Sequence, residues 1–469
     1  MPRIPLEIVD QCKQAGTLLV RGGSGSGKTI FALSLLKQLK SQGMETTYVS
    51  TRIPASTLLK TTSLCEELGR DSLVDSSLQR VNETGQDIEK APMTDLSDLA
   101  MLLLQKTSEN SVIALDSWDA LLSRDKRPDD EVYTATMDLI NRTPGSLVFT
   151  IEDPRGQNPL EHVADAQVTL QVENHEGSRI RSLEVDKLRG RSIDTPRYIF
   201  SLAGGRFDAY VPSDYRLREC PIRAPCIPQP MPENGSFFST GLSRLDRLLG
   251  GGYRHGSYVG IEIDLEAPME VFDMTYIATA ADFLLKNRPV IVLPPGARDA
   301  DSLWDTARSI LDDAAWREMK DEVINNHVKV LSFGSRSKNP FSVPVGVSID
   351  DDISVWSKSK KEMKYRYKKP ILGIVGYDTL VRMYGTDTVE EVVGRTLPET
   401  RRSGDLTISI VTSDLEIKRY ILGIADYYFK IKLLNDVPIF WGVKPRTHPY
   451  ALLLVNDNGV PKTNLHRIS

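Results

Sequence analysis

The segment GGSGSGKT at residues 22–29 places glycines, a lysine and a threonine in the spacing G-x-x-x-x-G-K-[ST]. Glycines let the backbone curl so that successive N–H groups face an anion, and the start of a following helix adds partial positive charge. The lysine then reaches the β- and γ-phosphates of a nucleotide, and the threonine hydroxyl binds Mg²⁺. We predict a phosphate-binding loop made of Gly22, Gly23, Ser24, Gly25, Ser26, Gly27, Lys28 and Thr29.

The residues on either side of this loop fit the motif. The apolar run TLLVR at 17–21 predicts a strand before the loop, and IFALSLLKQL predicts a helix after it that ends near Gly43. The apolar positions of that helix recur three and four residues apart: Phe31, Leu35, Leu36 and Leu39. A strand and a helix in these places are the context that the motif requires.

An acid follows a later apolar run. The residues VIAL at 112–115 predict a strand, and Asp116 comes directly after it. In P-loop proteins a carboxylate in this place completes the Mg²⁺ site together with the loop hydroxyl. We predict that Asp116 acts with Thr29 at Mg²⁺; a plain helix cap is the alternative role.

The first half of the chain alternates strand and helix signals and then changes character. Apolar strand runs at 46–50, 111–115 and 146–151 are separated by helical stretches, which predicts a parallel sheet. Four consecutive strands follow, the last two joined by Gly204–Gly205, at 167–173, 181–188, 197–203 and 206–211. A parallel sheet extended by antiparallel hairpins is typical of RecA-like ATPases. We therefore predict an α/β fold of this type.

A proline-rich segment divides the chain of 469 residues into halves. Residues 212–236 contain six prolines and no apolar periodicity, which predicts a semi-rigid linker. The segment HVADAQVTLQVENHEGSRIRSLEVDKLRG in the first half matches GIADYYFKIKLLNDVPIFWGVKPRT in the second, each with an Ala-Asp step, two strands and K-x-R. We predict two tandem domains, domain one at 1–211 and domain two at 237–469.

Several of these segments resemble a known family. LEVDKLRGRSIDTPRYIFSLAGGRFDAY and FSTGLSRLDRLLGGGYRHGSYVGIEID are similar to segments of KaiC-type members of the RecA superfamily. The opening IPLEIVDQCKQAGTLLVRGGSGSGKT, with YVSTRIPASTL after it, resembles an archaeal branch that includes the gas-vesicle regulator GvpD. The resemblance covers nearly the whole chain. It implies two RecA-like domains and ATP, with Mg²⁺, as the ligand.

The resemblance also shows which catalytic group is missing. KaiC-type domains place a Glu pair after the strand that follows the nucleotide-binding helix, and the matching positions here hold Thr51 and Arg52. Glu152 or Asp153, just past the strand ending at Ile151, could replace that base, although a surface or capping role is favoured for either residue. Without an aligned base the rate falls by roughly 10²–10⁴. We expect slow hydrolysis or a nucleotide switch.

Domain two lacks the phosphate loop. The chain reads DLEAPMEV at 264–271, with Met269 in place of the lysine and Glu270 in place of the Ser/Thr. Gly376 stands where the Mg²⁺-binding Asp belongs, and we interpret Asp378 as a turn residue rather than a displaced ligand. We therefore predict a degenerate second domain that keeps the fold and binds no nucleotide.

The resemblance implies a further role for Lys187 and Arg189. They match the family's K-x-R, which reaches the γ-phosphate held by a neighbouring subunit, so a trans-acting role would require a homo-oligomer. Two solvated charges on an edge strand are the alternative. Lys444 and Arg446 hold the same places in domain two, where they are either surface charge or a sensor of nucleotide bound by a domain one.

Composition limits the remaining classes of partner. There are 58 Lys+Arg and 63 Asp+Glu, a net charge of −5, which excludes a globally basic surface for nucleic acid. The segment KSKKEMKYRYKK at 358–369 is locally basic; a solvated helix face is favoured, with nucleic acid and an acidic protein as alternatives. No apolar stretch predicts a membrane span, so we expect a soluble, cytoplasmic protein.

Two functional classes remain open. The first is a nucleotide-dependent regulatory ATPase that acts through an oligomer or a protein partner. The second is a RecA-paralogue DNA-binding protein of recombination or repair. The eroded second domain and the net negative charge favour the first, whereas the basic segment at 358–369 is the main feature in favour of the second.

Overall fold

The computed structural model describes most of the chain, namely residues 4–14, 16–77, 88–152, 160–211, 230–233, 235–303, 325–333, 339–457 and 460–468. The chain separates into two compact units, Met1–Val211 with Ile468–Ser469, and Pro212–Arg467. We keep the names domain one and domain two for these units. Most of the segment that we assigned to the linker, including residues 212–229, lies outside the described residues.

Domain one is built on a ten-stranded sheet. Its strands are β1 (Thr17–Gly22), β2 (Glu45–Ser50), β3 (Leu73–Asp75), β4 (Glu89–Lys90), β5 (Ser111–Asp116), β6 (Ser146–Ile151), β7 (Ala166–His175), β8 (Ser178–Leu188), β9 (Arg197–Ser201) and β10 (Asp208–Tyr210). Their order in the sheet is β10-β9-β8-β7-β1-β6-β5-β2-β3-β4. The pairs from β7 to β4 are parallel, and those from β7 to β10 are antiparallel.

The described helices of domain one precede or connect these strands. They are α1 (Leu6–Cys12), α2 (Lys28–Lys40), α3 (Ala55–Thr61), α4 (Ser63–Leu68), α5 (Leu96–Lys106), α6 (Trp118–Leu122), α7 (Asp129–Arg142) and α8 (Leu160–Val163). Every residue of β6 is buried, as expected for a parallel strand covered on both faces. The apolar positions that we predicted in α2 are likewise buried in the core.

Domain two contains a second ten-stranded sheet and a two-stranded one. The pair is β11 (Phe237–Phe238) with β12 (Tyr253–Arg254). The large sheet contains β13 (Tyr258–Ile263), β14 (Val290–Leu293), β15 (Val328–Phe333), β16 (Ser342–Val345), β17 (Leu372–Gly376), β18 (Leu406–Thr412), β19 (Tyr427–Leu434), β20 (Val437–Lys444), β21 (Tyr450–Asp457) and β22 (Val460–Arg467). Its order is β16-β15-β14-β17-β18-β13-β19-β20-β21-β22.

The described helices of domain two are α9 (Ser243–Leu248), α10 (Met269–Leu285), α11 (Asn325–His327), α12 (Ile349–Tyr367), α13 (Tyr377–Tyr384), α14 (Thr386–Ser403) and α15 (Ile417–Ile424). Before β11, Met231 donates its N–H to Asp282 at 2.7 Å, and Glu233 accepts from Arg288 at 2.8 Å. These two residues, which we had placed in the linker, are therefore bound to domain two. Among the helices that the structure describes, we find no candidate for a membrane-spanning segment.

The two large sheets have the same topology, strand for strand. β1 corresponds to β13, β5 to β17 and β6 to β18, and each sheet continues through three antiparallel pairs on one side. A matching clamp fixes the register: Thr17 N–H donates to Asp165 at 2.9 Å, and Tyr258 N–H donates to Asp426 at 2.9 Å. The predicted fold class, two tandem α/β domains with antiparallel extensions, is confirmed.

Candidate functional site

The glycine-rich loop of domain one connects β1 to α2, and glycine is needed at two of its positions. Gly25 and Gly27 have φ angles of 74° and 112°, in a region that side chains with a Cβ rarely adopt. A Cβ added at Gly23 or Gly25 would meet no atom within 4 Å, so the outer face of the loop is open. Ser26 is buried beneath that face, and its Oγ has no hydrogen-bond partner among the described residues.

Lys28 is the first residue of α2 and lies under the loop. Its Nζ donates to the carbonyl oxygen of Gly22 at 2.7 Å and to that of Gly23 at 3.1 Å. Burial lowers the pKa of the Lys28 ammonium, while the negative charges of Glu152, Asp116 and Asp119 act in the opposite direction. A buried lysine ammonium that lies under an open glycine loop can bind an anion.

Asp116 ends β5, and three hydroxyl groups hold its carboxylate. Thr29 donates to Oδ2 at 2.6 Å, Tyr48 donates to the same oxygen at 2.5 Å, and Thr150 donates to Oδ1 at 2.6 Å. Burial raises the pKa of Tyr48 well above its usual range, and the Asp116 charge adds to the effect, so Tyr48 remains a donor. Sequence reasoning missed Tyr48 and Thr150, although each stands on a strand that neighbours β5.

These residues fit a nucleotide bound with Mg²⁺. Thr29 and Asp116 bring a hydroxyl and a carboxylate oxygen to within 2.6 Å of each other, and both are ligand types that Mg²⁺ prefers. The open loop and the unpartnered Ser26 hydroxyl provide room and a hydrogen-bonding group for phosphate. Thr29 and Asp116 would hold the metal, and the loop with Lys28 would hold the phosphates.

The positions of the missing Glu pair are occupied by a buried threonine and an exposed arginine. The Thr51 hydroxyl donates to the Ser117 carbonyl oxygen at 2.8 Å and accepts from the Ser117 N–H at 2.8 Å. Arg52 instead forms an ion pair with Glu152, with 2.5 Å between Nη1 and Oε1. Asp153, the other candidate base, lies outside the described residues. The structure thus brings Glu152 to the site, but its carboxylate is paired with the Arg52 guanidinium.

Asp119 holds the backbone beside this ion pair. Its Oδ2 accepts the N–H of Glu152 at 2.7 Å. Arg181, on β8, donates to the carbonyl oxygens of Gly25 and Ser26 at 2.8 and 3.1 Å and so fixes the glycine loop from the hairpin side. The isolated arginine gave no motif signal, so sequence reasoning missed this contact.

Lys187 and Arg189 lie at the end of β8 and contact their own domain. Lys187 Nζ donates to the Glu161 carbonyl oxygen at 3.3 Å, and Arg189 pairs with Asp165 at 3.1 Å. In domain two Lys444 Nζ donates to the Leu422 carbonyl oxygen at 2.5 Å. Glu161 and Leu422 each lie four residues before the aspartate of the Ala-Asp step, so the two lysines make the same contact. A trans-acting role for Lys187 and Arg189 stays a prediction.

The equivalent edge of domain two has different chemistry. Strand register aligns Gly376 with Asp116, and Met269 is the first residue of α10 as Lys28 is of α2. Pro268, the residue before α10, has a φ of −67°, whereas Gly27, the residue before α2, has a φ of 112°. A Cβ added at Gly376 would lie 2.4 Å from Pro295 Cα, so an aspartate has no room there.

Two other residues of domain two fill and brace this edge. Met269 packs against Gly296, where an added Cβ would lie 2.7 Å from the Met269 Cε. Asp378, which we interpreted as a turn residue, is instead buried in the first turn of α13. It accepts the Gly296 N–H at 2.6 Å, and burial raises the pKa of its carboxyl group. It braces the loop that carries Gly296.

The basic segment 358–369 forms the end of α12 and the residues after it. Lys360 and Lys364 both pair with Asp405, at 3.1 and 2.7 Å, and Lys369 donates to the Lys286 carbonyl oxygen at 2.9 Å. Tyr365 is 86% exposed. Part of the positive charge is therefore neutralised within domain two.

A strand, a glycine-rich loop, a helix and a strand-end acid define domain one as a P-loop domain, and P-loop domains bind nucleotides. Residues 9–186 match the family described as GvpD gas vesicle protein, P-loop domain. The chain is also 23% identical to Protein GvpD2 of Halobacterium salinarum over 465 residues, which covers 96% of this chain and 92% of that protein. It is 23% identical to Protein GvpD1 of the same organism over 508 residues, covering 96% and 93%.

These similarities bear on the resemblances seen in the sequence. The likeness to the branch that includes GvpD is supported, and it extends over both domains because the alignments cover nearly the whole of each chain. The chain is thus similar to a GvpD-like P-loop ATPase. The more specific assignment to the KaiC type stays a prediction.

Proposed function

We propose that this protein is an ATP-binding regulatory protein whose single nucleotide site lies in domain one. The observation that carries the proposal is the convergence of Lys28, Thr29 and Asp116 beneath an open glycine loop, with 2.6 Å between the Thr29 hydroxyl and Asp116. The likeness to the GvpD proteins supports a P-loop ATPase of this kind.

Each residue of the site has a separate task in this proposal. The loop N–H groups and Lys28 bind and orient the phosphates, Thr29 and Asp116 hold Mg²⁺, and Tyr48 and Thr150 fix the Asp116 carboxylate. Bound Mg²⁺ supplies charge neutralisation for the phosphates. Glu152 is the described carboxylate best placed to accept a proton from water, but its ion pair with Arg52 competes with that task. Slow or switch-like ATP hydrolysis follows.

Domain two acts in this proposal as a nucleotide-free regulatory partner. Met269 replaces the phosphate-binding lysine, and Gly376 leaves no room for the metal-binding acid. ATP binding by domain one then alters the assembly of the protein or its affinity for a protein partner. We propose a homo-oligomer as the working form, with Arg189 as the candidate trans-acting residue, because its side chain is 57% exposed.

The direct test is nucleotide binding by the full chain and by its Lys28→Ala variant. Titration calorimetry with ATP and Mg²⁺ should give binding to the unaltered protein and none to the variant, while circular dichroism shows an intact fold. Equal ATP affinity in the two proteins would refute the site.

A second candidate function, DNA binding in recombination or repair, is favoured only by the basic segment 358–369. Its exposed residues include Lys358, Lys361 and Tyr365. Filter binding at two salt concentrations tests it, because neutralising several phosphates gives a steep loss of affinity with salt. We expect weak binding of duplex and single-stranded DNA at physiological salt.

A further inference from the structure

The ion pair between Arg52 and Glu152 crosses the end of the strand that carries the metal-binding acid. β5 lies between β6 and β2 in the sheet and ends at Asp116. Glu152 directly follows β6, and Arg52 comes two residues after β2. Ligands of open α/β sheets bind outside the carboxyl ends of the strands, so the pair lies at the nucleotide-binding edge.

The backbone on both sides of this ion pair is fixed. Thr51 N–H donates to the Asp116 carbonyl oxygen at 2.9 Å, and Arg124 donates to the Thr51 carbonyl oxygen at 2.5 Å. The N–H of Glu152 is held by Asp119 at 2.7 Å. The two charged side chains can therefore change partner without rearranging these parts of the backbone.

The ion pair itself is exchangeable. The Arg52 and Glu152 side chains are 48% and 39% exposed, and ion pairs of this exposure are weak because water screens them. A guanidinium group forms stronger, bidentate contacts with a phosphate group. Both charges also act on the pKa of Lys28, Glu152 raising it and Arg52 lowering it, which places them within electrostatic range of the phosphate-binding lysine.

We propose that Arg52 distinguishes a nucleoside triphosphate from a diphosphate by exchanging Glu152 for the terminal phosphate. This inference rests on the proposed nucleotide site in domain one. While Arg52 holds Glu152, the carboxylate is neutralised; when Arg52 binds the terminal phosphate, Glu152 is released beside the site. Arg52 is thus a specificity-determining residue, and Glu152 competes with the phosphate for it.

Domain two carries neither of these two charges at the matching positions. Continued past the strand ends, the register matches Arg52 with Gly296 and Glu152 with Thr412. The charged pair therefore occurs in the domain that has the P-loop, and the domain without a P-loop has neither member.

The experiment measures the dissociation constants of ADP and of a non-hydrolysable ATP analogue, with Mg²⁺, by calorimetry on the full chain. Arg52→Gln should weaken binding of the analogue about tenfold, the loss expected for one charge-assisted contact, and leave ADP binding within about twofold. Glu152→Gln should tighten binding of the analogue by about two- to fivefold, since it removes the competitor. The double variant should behave like Arg52→Gln. Arg142→Gln, which breaks the exposed pair with Asp138 on α7, is the matched control and should change neither constant.

Two results would overturn the inference while leaving the proposed function intact. One is an equal loss of affinity for both nucleotides in Arg52→Gln, and the other is no change for either. If the unaltered chain bound neither nucleotide, the proposed function itself would be refuted and the inference with it. Both substituted side chains are partly exposed, so an unchanged melting temperature should accompany each variant.

Discussion

The two large sheets share one topology, but their carboxyl-end edges differ in chemistry. Both domains keep the clamp between the first core strand and the Ala-Asp step, through Asp165 in one and Asp426 in the other. Both also keep the lysine that binds a backbone carbonyl, Lys187 or Lys444. Features present in both domains therefore hold the fold, since domain two maintains them without a phosphate loop.

The residues that differ between the two domains are those predicted to bind phosphate and Mg²⁺. Lys28 is replaced by Met269, the left-handed Gly27 by Pro268, and Asp116 by Gly376. Each replacement removes a capacity to bind phosphate or metal and leaves the strands in register. The comparison also distinguishes the two charged residues of the K-x-R motif. The contact of Lys187 recurs in domain two, so Arg189 is the better candidate for a role at a neighbouring subunit.

The largest effect is expected at the first residue of α2, and the matching first residue of α10 provides the comparison. Lys28→Ala should weaken ATP binding by on the order of 100-fold or more, because the phosphates lose a buried cation. Met269→Ala in domain two should leave ATP affinity unchanged. Calorimetry on both variants checks this, and a loss of affinity in Met269→Ala would show that domain two contributes to the site.

A substitution at the end of β17 should damage the fold of domain two. Gly376→Ala would place a Cβ 2.4 Å from Pro295, and such overpacking costs about 1–3 kcal/mol. Asp116→Asn at the aligned position keeps the side-chain volume and should instead weaken the Mg²⁺ dependence of nucleotide binding. Urea unfolding and Mg²⁺ titrations separate the two effects. Unchanged stability in Gly376→Ala would contradict the packing that we describe.

Substituting Glu152 should change the ATPase rate less than substituting Lys28 changes the affinity for ATP. If Glu152 accepts the proton of the attacking water, Glu152→Gln should lower an already slow ATPase rate about tenfold or more. Steady-state phosphate release measures it, with Arg142→Gln as the control. An unaffected rate would assign Glu152 to a purely structural role, and a fast basal rate in the unaltered chain would require another base.

The smallest effect concerns the lysines that the two domains share. Lys187→Met and Lys444→Met should each lower the free energy of unfolding by about 1 kcal/mol, because each leaves a backbone carbonyl without its donor. Urea unfolding checks this. Arg189→Ala should cost less stability, since its ion pair is exposed, but should lower ATPase activity in the assembled protein. If Lys187→Met lost more ATPase activity than its lower stability explains, Lys187 would again be a candidate for the trans-acting role.

Much of the fold could be predicted from the sequence, because buried parallel strands appear as short apolar runs. β6 was predicted at 146–151 and observed at Ser146–Ile151, and the glycine loop was identified from its spacing alone. The contacts made by Tyr48, Thr150 and Arg181 could not be predicted, because they depend on which strands are neighbours and which way each side chain points. The ion pair between Arg52 and Glu152 joins residues 100 positions apart and depends on strand order in the same way.

The number of nucleotides bound per chain tests the central claim most directly. Calorimetric titration of the full chain with a non-hydrolysable ATP analogue and Mg²⁺ should give one site per chain, lost in Lys28→Ala and kept in Met269→Ala. Two sites per chain, or one site that survives Lys28→Ala, would contradict the account of a nucleotide-binding domain one and a nucleotide-free domain two.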